Sequence, residues 1–285
     1  MCQAAAEKLM QELGWERESV DAIVFVSQSQ DYILPATACV LHGKMGLKEE
    51  CLSFDISLGC SGWVYGLSTL APMLQAGGIK RALLLCGDVP SKPEKPLFGD
   101  CGTATALEYD EAATVMSIST RTDGGKYEAI IRRSGGTRAP FDEHSLDIIT
   151  DQFGHRHRPI DTEMDGESVF VFGITKVPKA VKDMLTLTGK SVEDVDYFLF
   201  HQANLMMNEQ IRRKCKIPAE KCPYSLRDFG NNSSASIPLT MVTQIAADLQ
   251  AGDREIIACG FGVGLSWGTL HVRLQSPFIA PLVEI

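Results

Sequence analysis

Three polar residues, Cys60, His201 and Asn231, stand in surroundings where their types could do chemistry. Cys60 lies in Asp55-Ile56-Ser57-Leu58-Gly59-Cys60-Ser61-Gly62, between an apolar run and a helical pattern. A cysteine at the first turn of a helix meets unpaired N–H groups and a partial positive charge, which favour thiolate over thiol. Small neighbours at Gly59, Ser61 and Gly62 let an acyl chain and the backbone approach closely. His201 ends the run Phe198-Leu199-Phe200, so its ring emerges at a strand's carboxyl end, where open α/β sheets place ligands. Asn231 follows Gly230 in a segment rich in Asn, Ser and Gly. One nucleophile with two neutral hydrogen-bonding groups can carry an acyl group and stabilise an enolate beside it. Each residue alone also has a plainer reading: an inert buried thiol, a satisfied core histidine, and a turn or cap asparagine.

Two other clusters stand out. In Gly260-Phe261-Gly262-Val263-Gly264 the alternate glycines expose consecutive backbone N–H groups. No Lys-Ser/Thr follows, so the segment reads as an oxyanion-hole element and not a phosphate cradle; a glycine-rich turn between core strands is the alternative. His155-Arg156-His157-Arg158 could bind metal through alternate histidines, but four such groups in a row read better as a solvated loop.

The elements that position these residues follow from periodicity. Residues 3 to 13 form an amphipathic helix closed by Gly14. Ala22 to Val26 is a short strand buried on both faces. Pro35 opens a second helix that runs to about Met45 and stops at Gly46. Leu52 to Ile56 is another buried strand, leading through Ser57–Cys60 into a helix from Ser61 to about Leu74; Arg81 to Cys86 is the next strand. In the second half a loop-rich region from Arg132 to Met164 precedes a helix at about 169 to 187. Strand 197 to 200, helices 205 to 215 and 237 to 249, and strand 256 to 258 complete it. This alternation predicts a mainly parallel, mixed α/β sheet with helices on both faces.

Composition bounds the rest. At 285 residues the chain can bury a large core, as one domain or two pseudo-equivalent halves. A net charge of -9 gives no basic footprint for nucleic acid. Nine cysteines, an odd count with no Cys-x-x-Cys pair, argue against a disulfide framework or zinc ribbon and for a reducing compartment. With no charged-then-apolar leader and no apolar run of membrane-spanning length, no membrane association and a cytoplasmic location are expected.

Taken together, the Cys60 and His201-Gln202-Ala203-Asn204 segments, Gly230-Asn231-Asn232-Ser233-Ser234-Ala235-Ser236 and Gly262-Val263-Gly264-Leu265-Ser266-Trp267-Gly268 strongly resemble the β-ketoacyl-acyl-carrier-protein synthase III family. Phe98-Gly99-Asp100 and Met164-Asp165-Gly166-Glu167-Ser168-Val169-Phe170 extend the resemblance over nearly the whole chain. It implies a thiolase-like α/β fold of two pseudo-duplicated halves, residues 1–120 and 121–285, in five α-β-α-β-α layers, and a homodimer. It also implies a reaction: Cys60 takes an acyl group from acyl-CoA, and malonyl-acyl carrier protein then binds with its thioester carbonyl on His201 and Asn231. Decarboxylation gives an enolate that attacks the acyl group, with the backbone N–H groups of Cys60 and Val263 as oxyanion hole. Asn204 and Gly166 are implied substrate contacts, and Leu34 an apolar side chain reaching the partner subunit's acyl pocket. Arg212, Arg213 and Lys214 would face the acidic carrier, although Met206 stands where the family often has arginine. No metal or cofactor is implied beyond the CoA and acyl carrier protein thioesters. The additional amino-terminal strand and helix that grip CoA in the family have no counterpart in the sequence. Rival readings are a plant-type polyketide synthase, a relative acylating other acceptors, and a catalytically silent carrier-binding subunit. Thiolases fit less well, because they carry histidine and asparagine in the opposite places.

Overall fold

Alternate residues of the inner strands enter different hydrophobic cores, and this period of two sets the layering. The computed structural model describes residues 1–90, 97–150, 154 and 156–285. Its first sheet contains β1 (Ala22–Val26), β2 (Leu52–Ile56), β3 (Arg81–Asp88) and β4 (Cys101–Glu108) in the order β2-β1-β3-β4. β1 is parallel to β2 and β3, while β4 is antiparallel to β3. Helices α1 (Cys2–Leu13) and α2 (Thr37–Met45) cover the outer face, where Ile23, Phe25, Leu83 and Leu85 meet them. Val24, Val26, Leu84 and Cys86 point the other way, onto α3 (Gly62–Gln75).

The second sheet begins with β5 (Ser117–Thr122), after which short pieces β6 (Ile130–Arg132), β7 (Ile149–Thr150), β8 (Arg156–His157) and β9 (Thr162–Met164) pair only among themselves. α4 (Gly166–Thr188), β10 (Tyr197–Phe200), α5 (Leu205–Lys214), α6 (Leu226–Phe229), α7 (Ser236–Gln244), α8 (Ala246–Gln250), β11 (Arg254–Gly262) and β12 (Ser266–Leu274) follow. The sheet order is β10-β11-β12-β5, again a parallel pair followed by an antiparallel strand. Leu199, Ile256 and Ala258 face α3 in the central core, whereas Phe198, Phe200, Ile257 and Cys259 face α4. Layers of helix, sheet, helix, sheet and helix result, with α3 packed against both sheets.

Several expected boundaries differ. α2 starts at Thr37 and not Pro35, because the Asp55 carboxylate accepts the N–H groups of Thr37 and Ala38, each at 2.7 Å. β2 is an edge strand and only half-buried, not a strand enclosed on both faces. The single helix expected at 237 to 249 breaks at Ile245 into α7 and α8. Expected to end at Ala258, β11 instead runs through the glycines to Gly262, so only Val263-Gly264-Leu265 turns the chain into β12. His155 lies outside the described residues; His157 faces Glu163 at 3.8 Å, and Arg158 pairs with Asp161. The described residues hold no metal-ligating cluster.

Candidate active site

The strands of both sheets deliver the site at their carboxyl ends. Beyond β2, Leu58–Ser61 carries Cys60 to the start of α3. The turn after β11 folds over it: a Cβ on Gly262 would lie 2.7 Å from the Cys60 Cβ and 2.9 Å from its Sγ. Only a glycine leaves the sulfur its place.

Cys60 as a residue keeps some surface, yet its sulfur is enclosed, and that atom's burial governs its protonation. Burial pushes the thiol up to about 12, and the nearby Asp88 carboxylate adds to the rise. The Ser233 hydroxyl and the backbone N–H groups of Cys60 and Val263 hydrogen-bond toward the sulfur and pull the other way. The thiolate favoured by a helix terminus alone is therefore outweighed, and burial holds the group as a thiol.

His201 follows β10 and is 1 % exposed. Burial lowers its imidazole to about 3, so the ring is neutral. Its Nδ1 lies 2.8 Å from Ser236 Oγ, which also receives the Gln202 N–H at 3.3 Å. The single hydroxyl hydrogen of Ser236 is given to the Ser233 carbonyl at 3.0 Å. With that hydrogen committed, Nδ1 must donate to Ser236, and Nε2 is left with a lone pair. A neutral imidazole of this tautomer can take a proton. Were the hydroxyl to turn toward Nδ1, the same ring could give one from Nε2.

Asn231 is anchored by its backbone, whose N–H donates to Leu97 O at 2.8 Å while its carbonyl accepts from Gly99 N at 3.1 Å. Its Oδ1 accepts the Ser233 N–H at 3.0 Å, which turns Nδ2 toward Ala203 O at 3.3 Å. Ser233, at φ 50, thus touches all three residues: its hydroxyl reaches Cys60, its carbonyl His201, and its N–H Asn231. Sequence reasoning missed this residue, since nothing in Asn-Asn-Ser-Ser marks which serine takes the left-handed conformation.

Asp88 was also missed. It is 3 % exposed and accepts from Ser27 Oγ at 3.0 Å, Gln28 N at 2.7 Å and Ser234 Oγ at 3.0 Å. It ties the ends of β1 and β3 to the Asn231 segment. A carboxylate ending the apolar run of β3 was the signal available in the sequence.

A family model described as 3-oxoacyl-[acyl-carrier-protein (ACP)] synthase III matches residues 54–124, and the C-terminal model of the same synthase matches 185–274. A β-ketoacyl-[acyl-carrier-protein] synthase III from Streptococcus agalactiae serotype III (strain NEM316) is 30% identical over 278 residues, covering 94% of this chain and 82% of its own length. The chain belongs to the 3-oxoacyl-[acyl-carrier-protein] synthase III family. The synthase III from Streptococcus pneumoniae (strain Hungary19A-6) is likewise 30% identical, over 279 residues and the same shares of both chains. A crystal structure of a 3-oxoacyl-(acyl-carrier protein) synthase from Burkholderia xenovorans LB400 superposes with a TM-score of 0.93. It is 38% identical and covers 100% of this chain and 82% of that one. The layered α/β architecture is accordingly the thiolase-like fold of synthase III.

Within that family setting the peripheral residues separate. Leu34 is exposed on the loop before α2. Asn204 caps α5, its Oδ1 accepting from Met207 N at 2.9 Å, so that oxygen is committed to the helix. Gly166 is the first residue of α4, with open space where a Cβ would stand. Arg212 grips Glu209 through Nε and Nη2, both at 2.8 Å, and gives Nη1 to Ile217 O at 2.7 Å. Charge pairing with Glu209 and the carbonyl of Ile217, just beyond α5, turn it inward. Arg213 remains open to solvent, 3.5 Å from Glu209, and the Lys214 ammonium donates to Ile174 O at 3.0 Å.

Proposed function

We propose that this protein is a 3-oxoacyl-[acyl-carrier-protein] synthase III, an acyltransferase joining an acyl-CoA primer to malonyl-acyl carrier protein by decarboxylative Claisen condensation, the step that initiates fatty acid synthesis. The observation that carries the reading is the convergence of Cys60, His201 and Asn231 on Ser233, with the Cys60 and Val263 N–H groups turned toward the sulfur.

In the first half-reaction the Cys60 sulfur attacks the thioester carbonyl while its proton passes to His201 Nε2. The oxyanion settles between the N–H groups of Cys60 and Val263. Collapse breaks the bond to CoA, which leaves with the proton as a free thiol, and the acyl group stays on Cys60. In the second half, the malonyl thioester oxygen sits against Asn231 Nδ2 and His201 Nε2, the latter in its donor tautomer with the Ser236 hydroxyl turned to Nδ1. The bond to the carboxylate breaks, carbon dioxide departs, and the electron pair becomes an enolate that attacks the acyl carbon. Expulsion of Cys60 as thiolate, which takes up one proton from solvent, closes the cycle. Neutral donors suit a developing enolate because they add no fixed anion beside it.

CoA and carrier-protein thioesters as substrates, no further cofactor and no metal belong to this reading. So do site roles for Asn204, Gly166 and Leu34, an acidic carrier meeting Arg212, Arg213 and Lys214, and a homodimer in the cytoplasm. Residues 1–120 and 121–285 are read as the two pseudo-equivalent halves. No helix among the described residues is long and apolar enough to cross a membrane. The test is a steady-state assay with acetyl-CoA and malonyl-acyl carrier protein. The reading expects 3-oxobutyryl carrier protein from the native chain and none from Cys60→Ala; equal product from both would refute it.

A further inference from the structure

We propose that Ser61 and Ser266 form a two-hydroxyl relay that holds the oxyanion-binding N–H groups of Cys60 and Val263 in register with each other. The inference rests on the acyl-transfer reading and adds two positioning residues to it. Ser61 follows the nucleophile and is the residue before α3; Ser266 opens β12 opposite Gly262 and closes the Val263-Gly264-Leu265 turn. Ser61 is 1 % and Ser266 2 % exposed, and their hydroxyl oxygens lie 2.7 Å apart. The Ser266 hydroxyl donates its one hydrogen to the Val263 carbonyl at 2.7 Å. The hydrogen between the serines must then come from Ser61, which gives the relay one direction, from Ser61 through Ser266 to Val263.

The two N–H donors come from separate halves of the chain, one from the turn after β2 and the other from the turn after β11. A strand ladder joins neither to the other. The relay crosses that gap: it starts one residue beyond the Cys60 donor and ends on the carbonyl of the residue that supplies the second. Gly262 lets the turn close down on Cys60 but does not fix its distance. A buried hydrogen-bonded chain does, because each hydroxyl would be left unpaired by any slip. Neither serine touches substrate or the reacting sulfur in this account.

The experiment compares Ser266→Ala, Ser266→Thr, Ser61→Ala and the double alanine variant with the native chain. It measures single-turnover acylation of Cys60 at saturating acetyl-CoA, and iodoacetamide alkylation of Cys60 against pH, each read on the Cys60 peptide by mass spectrometry. Ser266→Ala should slow acylation by up to about 10²-fold, the scale of a misplaced catalytic group. Its alkylation profile should move to higher pH, because the N–H groups that stabilise the thiolate are no longer aimed at it. Ser266→Thr, which keeps the hydroxyl, should recover both. The double variant should be no worse than the more damaged single one. Native rates in Ser266→Ala, no recovery with threonine, or losses that add in the double variant would each overturn the relay. A native chain that alkylates but never acylates would instead strike the acyl-transfer reading, while the alkylation profiles would still decide the relay.

Discussion

At the scale of single residues the site works through close approach. Cys60 is enclosed tightly enough that burial keeps its thiol protonated, up to about 12, and Gly262 is the wall against which the sulfur rests. A methyl group on Gly262 would have to displace Cys60, so Gly262→Ala should cut single-turnover acylation by about 10²-fold. Affinity for CoA should change far less, since the added methyl group meets the Cβ and Sγ of Cys60. Rapid-quench acylation alongside equilibrium binding of CoA checks this split; a weakened affinity with an unchanged acylation rate would show that the glycine serves the pocket and not the nucleophile. His201 illustrates the same dependence on neighbours. Neutral because it is buried, it has its free nitrogen chosen by the one hydrogen on Ser236.

At the scale of elements, strand ends and helix starts carry the function, and some of these were plain in the sequence. The apolar runs at Ala22–Val26 and Tyr197–Phe200 and the helical period of Cys2–Leu13 marked their elements directly. β4, β5 and β12 were not legible: Cys101–Glu108 is mostly Gly, Thr and Ala, and Ser117–Thr122 is a polar strand at the sheet's edge. Their strand character comes from pairing with a buried neighbour, which no local pattern encodes. Cys60, His201 and Asn231 stood out because each directly follows an apolar or glycine-containing stretch. Ser61, Ser233 and Ser266 did not, because a serine's role depends on which hydroxyl or carbonyl the fold brings opposite it. Asn204 shows how an element can claim a residue expected to serve substrate. As the cap of α5, Asn204→Ala should lose about 1 kcal/mol of stability and Asn204→Ser very little. Chemical denaturation and KM measured on both variants separate the roles: a raised KM in the serine variant, with stability retained, assigns the side chain to substrate as well.

At the scale of the molecule, two sheets clamp α3 between them and leave a neutral imidazole deep inside. An unfolded chain binds a proton on that ring near pH 6.5, but the fold does so only near 3. Between those values the unfolded state binds more protons, so His201 makes stability fall as the pH falls through that window. Urea midpoints measured from pH 7 to pH 4 should drop more steeply for the native chain than for His201→Gln, and parallel profiles would contradict the buried neutral ring. The acyl-transfer reading rests the acyl group on Cys60 between the two half-reactions. The most direct measurement is intact and peptide mass spectrometry after incubation with acetyl-CoA, with and without subsequent malonyl-acyl carrier protein. The account predicts one acetyl group on the Cys60 peptide alone, absent in Cys60→Ala and discharged when malonyl-acyl carrier protein is added. An unmodified Cys60, or an acetyl group on any of the other cysteines that survives the second substrate, would contradict it.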